Sequence, residues 1–418
     1  MATVNNDFYL FRWFLFGVVS LTPFPMHVVR GASPSFHGLG MLPDGHYSYA
    51  YAVSGDGRVV VGQSHGADNR RHAVAWIDGV ISPLSPIGSG TFLESAAQDL
   101  SYDGSVIVGY VRTQQGLNGA MWSPDGGGVE LGGLGGTPVQ TSGSGVSADG
   151  LTIVGQSNRI GGGWGAFRRS GGVMMDLGNF AGAVPRTGSL ALDVSGDGAT
   201  VVGFADSPKN NGELEAFAWL DGTMNLLSDL PGGDRQSRAW AVSSNGAVIV
   251  GGSSSTGSGA VFEAALWQES KVLGLGDLDG GTFESRALAV SDDGQFVVGV
   301  GRTSEGEEAF LWTAQDSMRR LEDVLTKDYG LDLEGWILNW ATGISADGRI
   351  MVGYGIDPYN RPQAWVASVP EPGTLFLTIW GALFFIRGPL GLRGQSRSKT
   401  SPPQPNDRER QRSEFEIR

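Results

Sequence analysis

A serine and a carboxylate two residues apart recur along this chain, first as Ser54 and Asp56, then with the serine at Ser101, Ser147, Ser195, Ser291 and Ser345, while Ser243 has Asn245 in the carboxylate's place. A hydroxyl near a carboxylate supplies part of what nucleophilic catalysis requires, but the base is missing. All five histidines fall between His27 and His72, so no histidine recurs with the pair. The chain has no cysteine, which excludes thiolate nucleophiles, thiolate metal sites and disulfides. A serine repeated seven times at one spacing, six times with its carboxylate, belongs to the repeat itself. No catalytic residue is assigned.

Oxygen ligands for a cation are also present. Asp277, Asp279 and Glu284 surround Gly280-Gly281 and could face calcium, but the remainder of a calcium-loop pattern is absent. A solvated acidic loop is the expected reading, with no metal and no cofactor. Glycine runs such as Gly161-Gly162-Gly163 lack the Gly-Lys-Ser/Thr that a phosphate loop needs.

Non-covalent binding is better supplied. The fourth residue before each repeat serine is small: Ala50, Ala97, Gly143, Ala191, Ala239, Ala287 and Ala341. Small residues there mark a crowded strand face. The intervening positions vary, and they carry Tyr49, Tyr51, Arg238, Trp240, Arg286 and Trp340 in units one, five, six and seven. Aromatic planes and forked guanidinium donors suit a ligand face. Packing between neighbouring units is the competing explanation for the same residues.

These side chains must be positioned by the repeat that carries them. Each copy reads aliphatic-Ser-x-Asp-Gly-x-x followed by an aliphatic pair and glycine, as in Val53 to Gly62, with Asn245-Gly246 in the fifth copy. Successive serines are 47, 46, 48, 48, 48 and 54 residues apart. Asp-Gly between Val/Ile runs predicts a strand, a type I′ turn and a strand. A tryptophan ends a further apolar strand in six copies, at Trp76, Trp122, Trp219, Trp267, Trp312 and Trp365, while the third copy has Arg168 after Phe167. A third mark, Leu-Gly or a variant such as Leu131-Gly132-Gly133-Leu134 and Leu275-Gly276-Asp277-Leu278, closes the units before the seventh.

About four strands in 48 residues is the length of a propeller blade. The phase is informative. The chain enters on the closing mark alone, at Gly38 to Leu42, and its seventh unit ends at Trp365 without one. The first segment therefore supplies the strand that the last unit lacks. The expectation is an all-β, seven-bladed β-propeller of four-stranded antiparallel blades over residues 33–368, with short apolar helical segments at both termini. Composition agrees: 67 glycines suit many tight turns, and 17 % charged with 40 % hydrophobic residues suits a packed core.

The ends read differently. Trp13 to Leu21 is an apolar run of signal-peptide length within a leader over 1–32, with Gly31-Ala32 as a cleavage region. Val369-Pro370-Glu371-Pro372-Gly373 precedes an apolar run, Leu375 to Ile386, and then Arg387, Arg393, Arg397 and Lys399. Residues 369–399 thus resemble the Pro-Glu-Pro C-terminal (PEP-CTERM) sorting signal of exosortase systems. That resemblance implies processing by exosortase-type machinery and a membrane passage beforehand. A polar tail, expected to be disordered, follows at 400–418.

The body resembles the HAF family of probable extracellular repeats, named for a His-Ala-Phe triplet. Here it reads His72-Ala73-Val74, Glu215-Ala216-Phe217 and Glu308-Ala309-Phe310, with only Ala kept. The family implies export and surface display. Net charge is −14 although the stretch from Arg387 is basic, so the body is acidic and nucleic acid is an unsuitable partner. The expected function is an extracellular or cell-surface, non-enzymatic module binding glycan or protein of the envelope or matrix. The alternative is a propeller hydrolase or lyase acting on polysaccharide.

Overall fold

The computed structural model describes residues 33–182, 188–206, 213–259 and 261–370, the side chain of Arg235 excepted. The leader, the Glu371-Pro372 part of the sorting motif and the expected helical termini lie outside the described residues. The described strands form seven four-stranded antiparallel sheets, as the repeat predicts. The first blade runs Ser48–Val53, Val59–His65, Arg71–Ile77 and Val80–Pro83 in order from the centre outward.

The seventh blade takes three strands from the end of the body, Ile337–Ile344, Ile350–Ile356 and Pro362–Ser368, and its fourth from the beginning, Ser35–Gly38. Ser35 stands opposite Ser368 and Gly38 opposite Trp365. Leu39 then donates its N–H to Ala364 O at 2.8 Å. Leu39 and Leu42 are buried with Trp76, Val352 and Val366, so the closing strand also seals the core between blades seven and one. The split phase of the repeat is a closed ring.

The Ser-x-Asp-Gly unit is a turn with a fixed hydrogen-bond pattern. In every blade the glycine N–H donates to the serine C=O, for example Gly57 to Ser54 at 2.9 Å. The serine Oγ donates to the carboxylate, Ser54 to Asp56 Oδ1 at 2.7 Å, and accepts from the residue five positions on, Val59, at 3.0 Å. Only the glycine takes positive φ, between 70° and 76° across the seven copies. This differs from the expected type I′ turn, which needs positive φ at two central residues. Aspartate stays right-handed because its Oδ1 also accepts the next N–H but one, Arg58 at 3.1 Å. The result is a type I turn with glycine at its last position.

Two further regularities fix how blades meet. Each turn glycine faces a side chain of the preceding blade: a Cβ on Gly104 would lie 2.8 Å from Val59, and one on Gly57 1.9 Å from Ile350 across the closing seam. The residues after the repeat serines join head to tail around the axis. Gly55 donates to Tyr102 O, Tyr102 to Ala148 O, Ala148 to Gly196 O, Gly196 to Ser244 O, and Asp292 to Ala346 O. These bonds tie the turn tips together at one end of the central channel.

Two details depart from the sequence pattern. Trp76, Trp122, Trp219, Trp267 and Trp312 share one register position, but Trp365 stands opposite Gly353, where Phe167, Phe217 and Phe310 stand in their blades. The long sixth spacing is a helical insertion, Leu321–Asp323 continued by a wider turn over Val324–Asp328. It buries Leu321 and Leu325 beside Trp365.

Candidate functional site

The innermost strand of each blade carries a bulge at the same place. Pairing passes from Ala50–Gly62 to Ala52–Val61, leaving Tyr51 as the extra residue, and the same shift recurs in the other six blades. Bulges bend a strand and re-aim its side chains. The glycine of the aliphatic-pair motif is what admits this one. A Cβ on Gly62 would sit 2.0 Å from Tyr49 O, and one on Gly251 2.0 Å from Arg238 O. Tyr51 and Trp240 are thus the bulged residues of their strands, and Tyr49, Arg238, Arg286 and Trp340 stand two positions earlier.

The structure gathers five of these residues, all but Tyr51, in two adjoining groups. Arg286 lies over the Trp340 ring at 5.9 Å, Trp340 stacks on Tyr354 at 5.7 Å and 14°, and Tyr354 meets Tyr49 edge-on at 4.7 Å. This run crosses the closing seam and continues through Tyr47 to His65. Trp340 Nε1 donates to Glu307 Oε2 at 3.0 Å. In the second group, Arg238 lies over Phe204 at 4.9 Å and over Phe262 at 5.5 Å, and Trp240 meets Phe262 edge-on at 5.5 Å. All six expected residues are partly exposed. Burial raises the phenol pKa values of Tyr49, Tyr51 and Tyr354, so these hydroxyls remain neutral donors.

Tyr354, Phe204 and Tyr110 went unread in the sequence although a signal was there. Each directly follows the motif glycine and stands opposite the variable position: Tyr354 opposite Trp340, Phe204 opposite Leu190, Tyr110 opposite Ala96. The acidic loop is also accounted for. Asp277 accepts N–H groups of Leu278, Glu284 and Arg302, and the Glu284 carboxylate is shared by Arg286 and Arg302. Gly62-Gln63-Ser64-His65-Gly66 matches the spacing of a nucleophile elbow, but it lies within and just after a strand. Ser64 is fully buried and accepts the Leu42 N–H at 3.0 Å.

A second feature lies in the channel. Two of the positions just before the aliphatic-Ser step are aspartates, Asp99 and Asp193, where other blades have Ala or Gly. Both line a cavity of about 120 Å³ at the turn end of the channel. Burial raises both pKa values, and the charge of Asp193 raises that of Asp99 further. Small-molecule pockets run to roughly 300–1,000 Å³. This one has room for a few waters, and its carboxylates bond backbone.

No protein-family model and no curated protein matches the chain. Similar solved structures include an oligogalacturonate lyase in complex with manganese, at 12 % identity over 84 % of this chain and 99 % of that one, TM-score 0.50. TolB from Acinetobacter baumannii matches at 15 % identity over 66 % of this chain and 62 % of that one, TM-score 0.42. The β-propeller domain of the Trilobed protease from Pyrococcus furiosus matches at 11 % identity, covering 77 % and 95 %, TM-score 0.48. The chain thus spans about 62 % of the TolB chain. At such identities the likeness shows the fold alone. The class is the seven-bladed β-propeller.

Proposed function

We propose that this chain is an exported propeller, displayed at the cell surface or released, that binds a polysaccharide of the envelope or matrix without transforming it. One observation carries the binding reading: the unbroken run Arg286–Trp340–Tyr354–Tyr49 across the closing seam. Flat rings accept the C–H faces of sugars, and neutral phenols and a guanidinium supply donors for hydroxyls. The Trp13 to Leu21 leader and the Pro370-Glu371-Pro372 motif with its basic flank support export and exosortase-type processing.

The test is a glycan and matrix-fraction binding screen with the protein recovered from cells. Trp340→Ala should weaken the leading interaction on the order of tenfold. Unchanged binding by a variant that melts like its parent overturns the assignment of this face. Mass spectrometry of the recovered protein should lack residues 1–21 and 397–418. An intact C-terminal peptide on most molecules overturns processing, and recovery of the whole chain in the cytosol overturns display.

A further inference from the structure

Arg238 stands apart from the other arginines of the site. Arg286 and Arg302 share the Glu284 carboxylate, and Arg71 and Arg112 share Glu94. Among the described residues, Arg238 has neither a carboxylate nor a hydrogen-bond acceptor: its recorded partners are the rings of Phe204 and Phe262. Its position is built for this. Gly252 stands opposite it, and a Cβ there would lie 2.8 Å from the Trp240 ring and 3.0 Å from Phe262. The missing side chain makes room for the aromatic walls. Burial and the charge of Arg286 both disfavour the cation, lowering its pKa.

A guanidinium has five N–H donors in one plane, and the Phe204 and Phe262 rings beside Arg238 attract its charge without accepting a hydrogen bond from those donors. A partly buried cation whose donors have no protein acceptor is a seat for an anion, and a carboxylate fits the fork with two parallel bonds. We propose that Arg238 seats the carboxylate of an acidic sugar, so that the ligand of this face is a uronate-containing polysaccharide. The inference rests on the glycan-face reading above and names its ligand class. The Phe204 and Phe262 rings beside Arg238 favour a sugar acid, which brings C–H faces together with its carboxylate. The acidic body does not forbid it, since charges beyond about 8 Å are largely screened at physiological salt.

Calorimetry should compare a short oligouronate with its carboxyl-reduced, neutral counterpart on the full-length protein. The parent should bind the acidic form more tightly. Arg238→Gln should lower that affinity roughly 10- to 100-fold and lower that for the neutral form far less, so that the preference for the acidic form is lost, whereas Arg238→Lys should recover part of the preference. Equal binding of both oligosaccharides, abolished by Trp340→Ala, overturns the Arg238 seat and keeps the aromatic face. Binding of neither overturns both. Selective binding of an acidic peptide instead overturns the sugar assignment. Melting curves of each variant exclude misfolding as the cause.

Discussion

Asp99 and Asp193 reach the channel from alternate blades and do the same thing there. Asp99 Oδ2 accepts the N–H of Val146 in the next blade at 2.8 Å, and Asp193 Oδ2 accepts that of Val242, again one blade on, at 2.8 Å. Gly145 of the intervening blade lies against Asp193, where a Cβ would come within 2.9 Å of its Cα. Each carboxylate bridges a seam between blades, and the small residue beside it makes the approach feasible.

This pair should make stability depend on pH. Burial, reinforced by the charge of Asp193, pushes Asp99 up to about 8, and burial pushes Asp193 up to about 6. The unfolded carboxyl ionises near 4, so between that value and the folded ones the native state holds more protons than the unfolded state. Stability contributed by the protonated pair is therefore full at pH 4 and is lost as pH rises to 8. Chemical denaturation across this range should show the decline in the parent and a flatter profile in Asp99→Asn. An identical slope in both would show that Asp99 ionises freely.

The turn glycines should resist side chains. Gly198 has φ +73°, and a Cβ there would lie 2.6 Å from Thr152 of the preceding blade. Gly198→Val should lower stability by about 1–3 kcal/mol, combining strained backbone with a seam contact. A variant melting at the parent temperature would mean that the turn relaxes without cost.

The repeat serines should matter for folding and not for chemistry. Ser101 is fully buried, donates to Asp103 at 2.8 Å and accepts the Val106 N–H at 3.0 Å. Ser101→Ala should cost about 1–2 kcal/mol, measured by urea denaturation, because the Val106 donor loses its acceptor. Glycan affinity in the folded fraction should not change.

The fold was legible because period and phase are written in residues that only one backbone tolerates: glycine at positive φ, serine feeding a turn, small residues at the bulge. The same economy explains the kept alanine of the triplet. Ala73 and Ala216 are fully buried and donate to Ser95 and Ser237 of the next blade at 2.8 and 3.0 Å. Local letters could not reveal register, so Trp365 was grouped with the other tryptophans although it faces Gly353. Nor could they reveal contacts across seams. Arg238 and Phe204 are 34 positions apart in adjacent blades, and only closure of the ring brings Tyr354 to Tyr49.

Closure itself makes the strongest prediction. Deleting residues 33–42 removes the outer strand of blade seven, exposing the edge of Pro362–Ser368, which Ser35–Gly38 otherwise pairs. It also takes Leu39 and Leu42 out of the core they form with Trp76 and Val366. Burying a leucine is worth about 1.5–3 kcal/mol, so the two side chains alone supply roughly 3–6 kcal/mol. That is comparable to the whole stability of many domains, about 5–15 kcal/mol. The truncated chain should therefore melt far below its parent, with hydrogen exchange accelerated first in 362–368 and then across the seam at Val60 and Trp76. A peptide spanning 33–44, added in trans, should restore part of the protection because the groove it fills is otherwise intact. Unchanged melting and exchange after the deletion would show that the ring holds without its first strand.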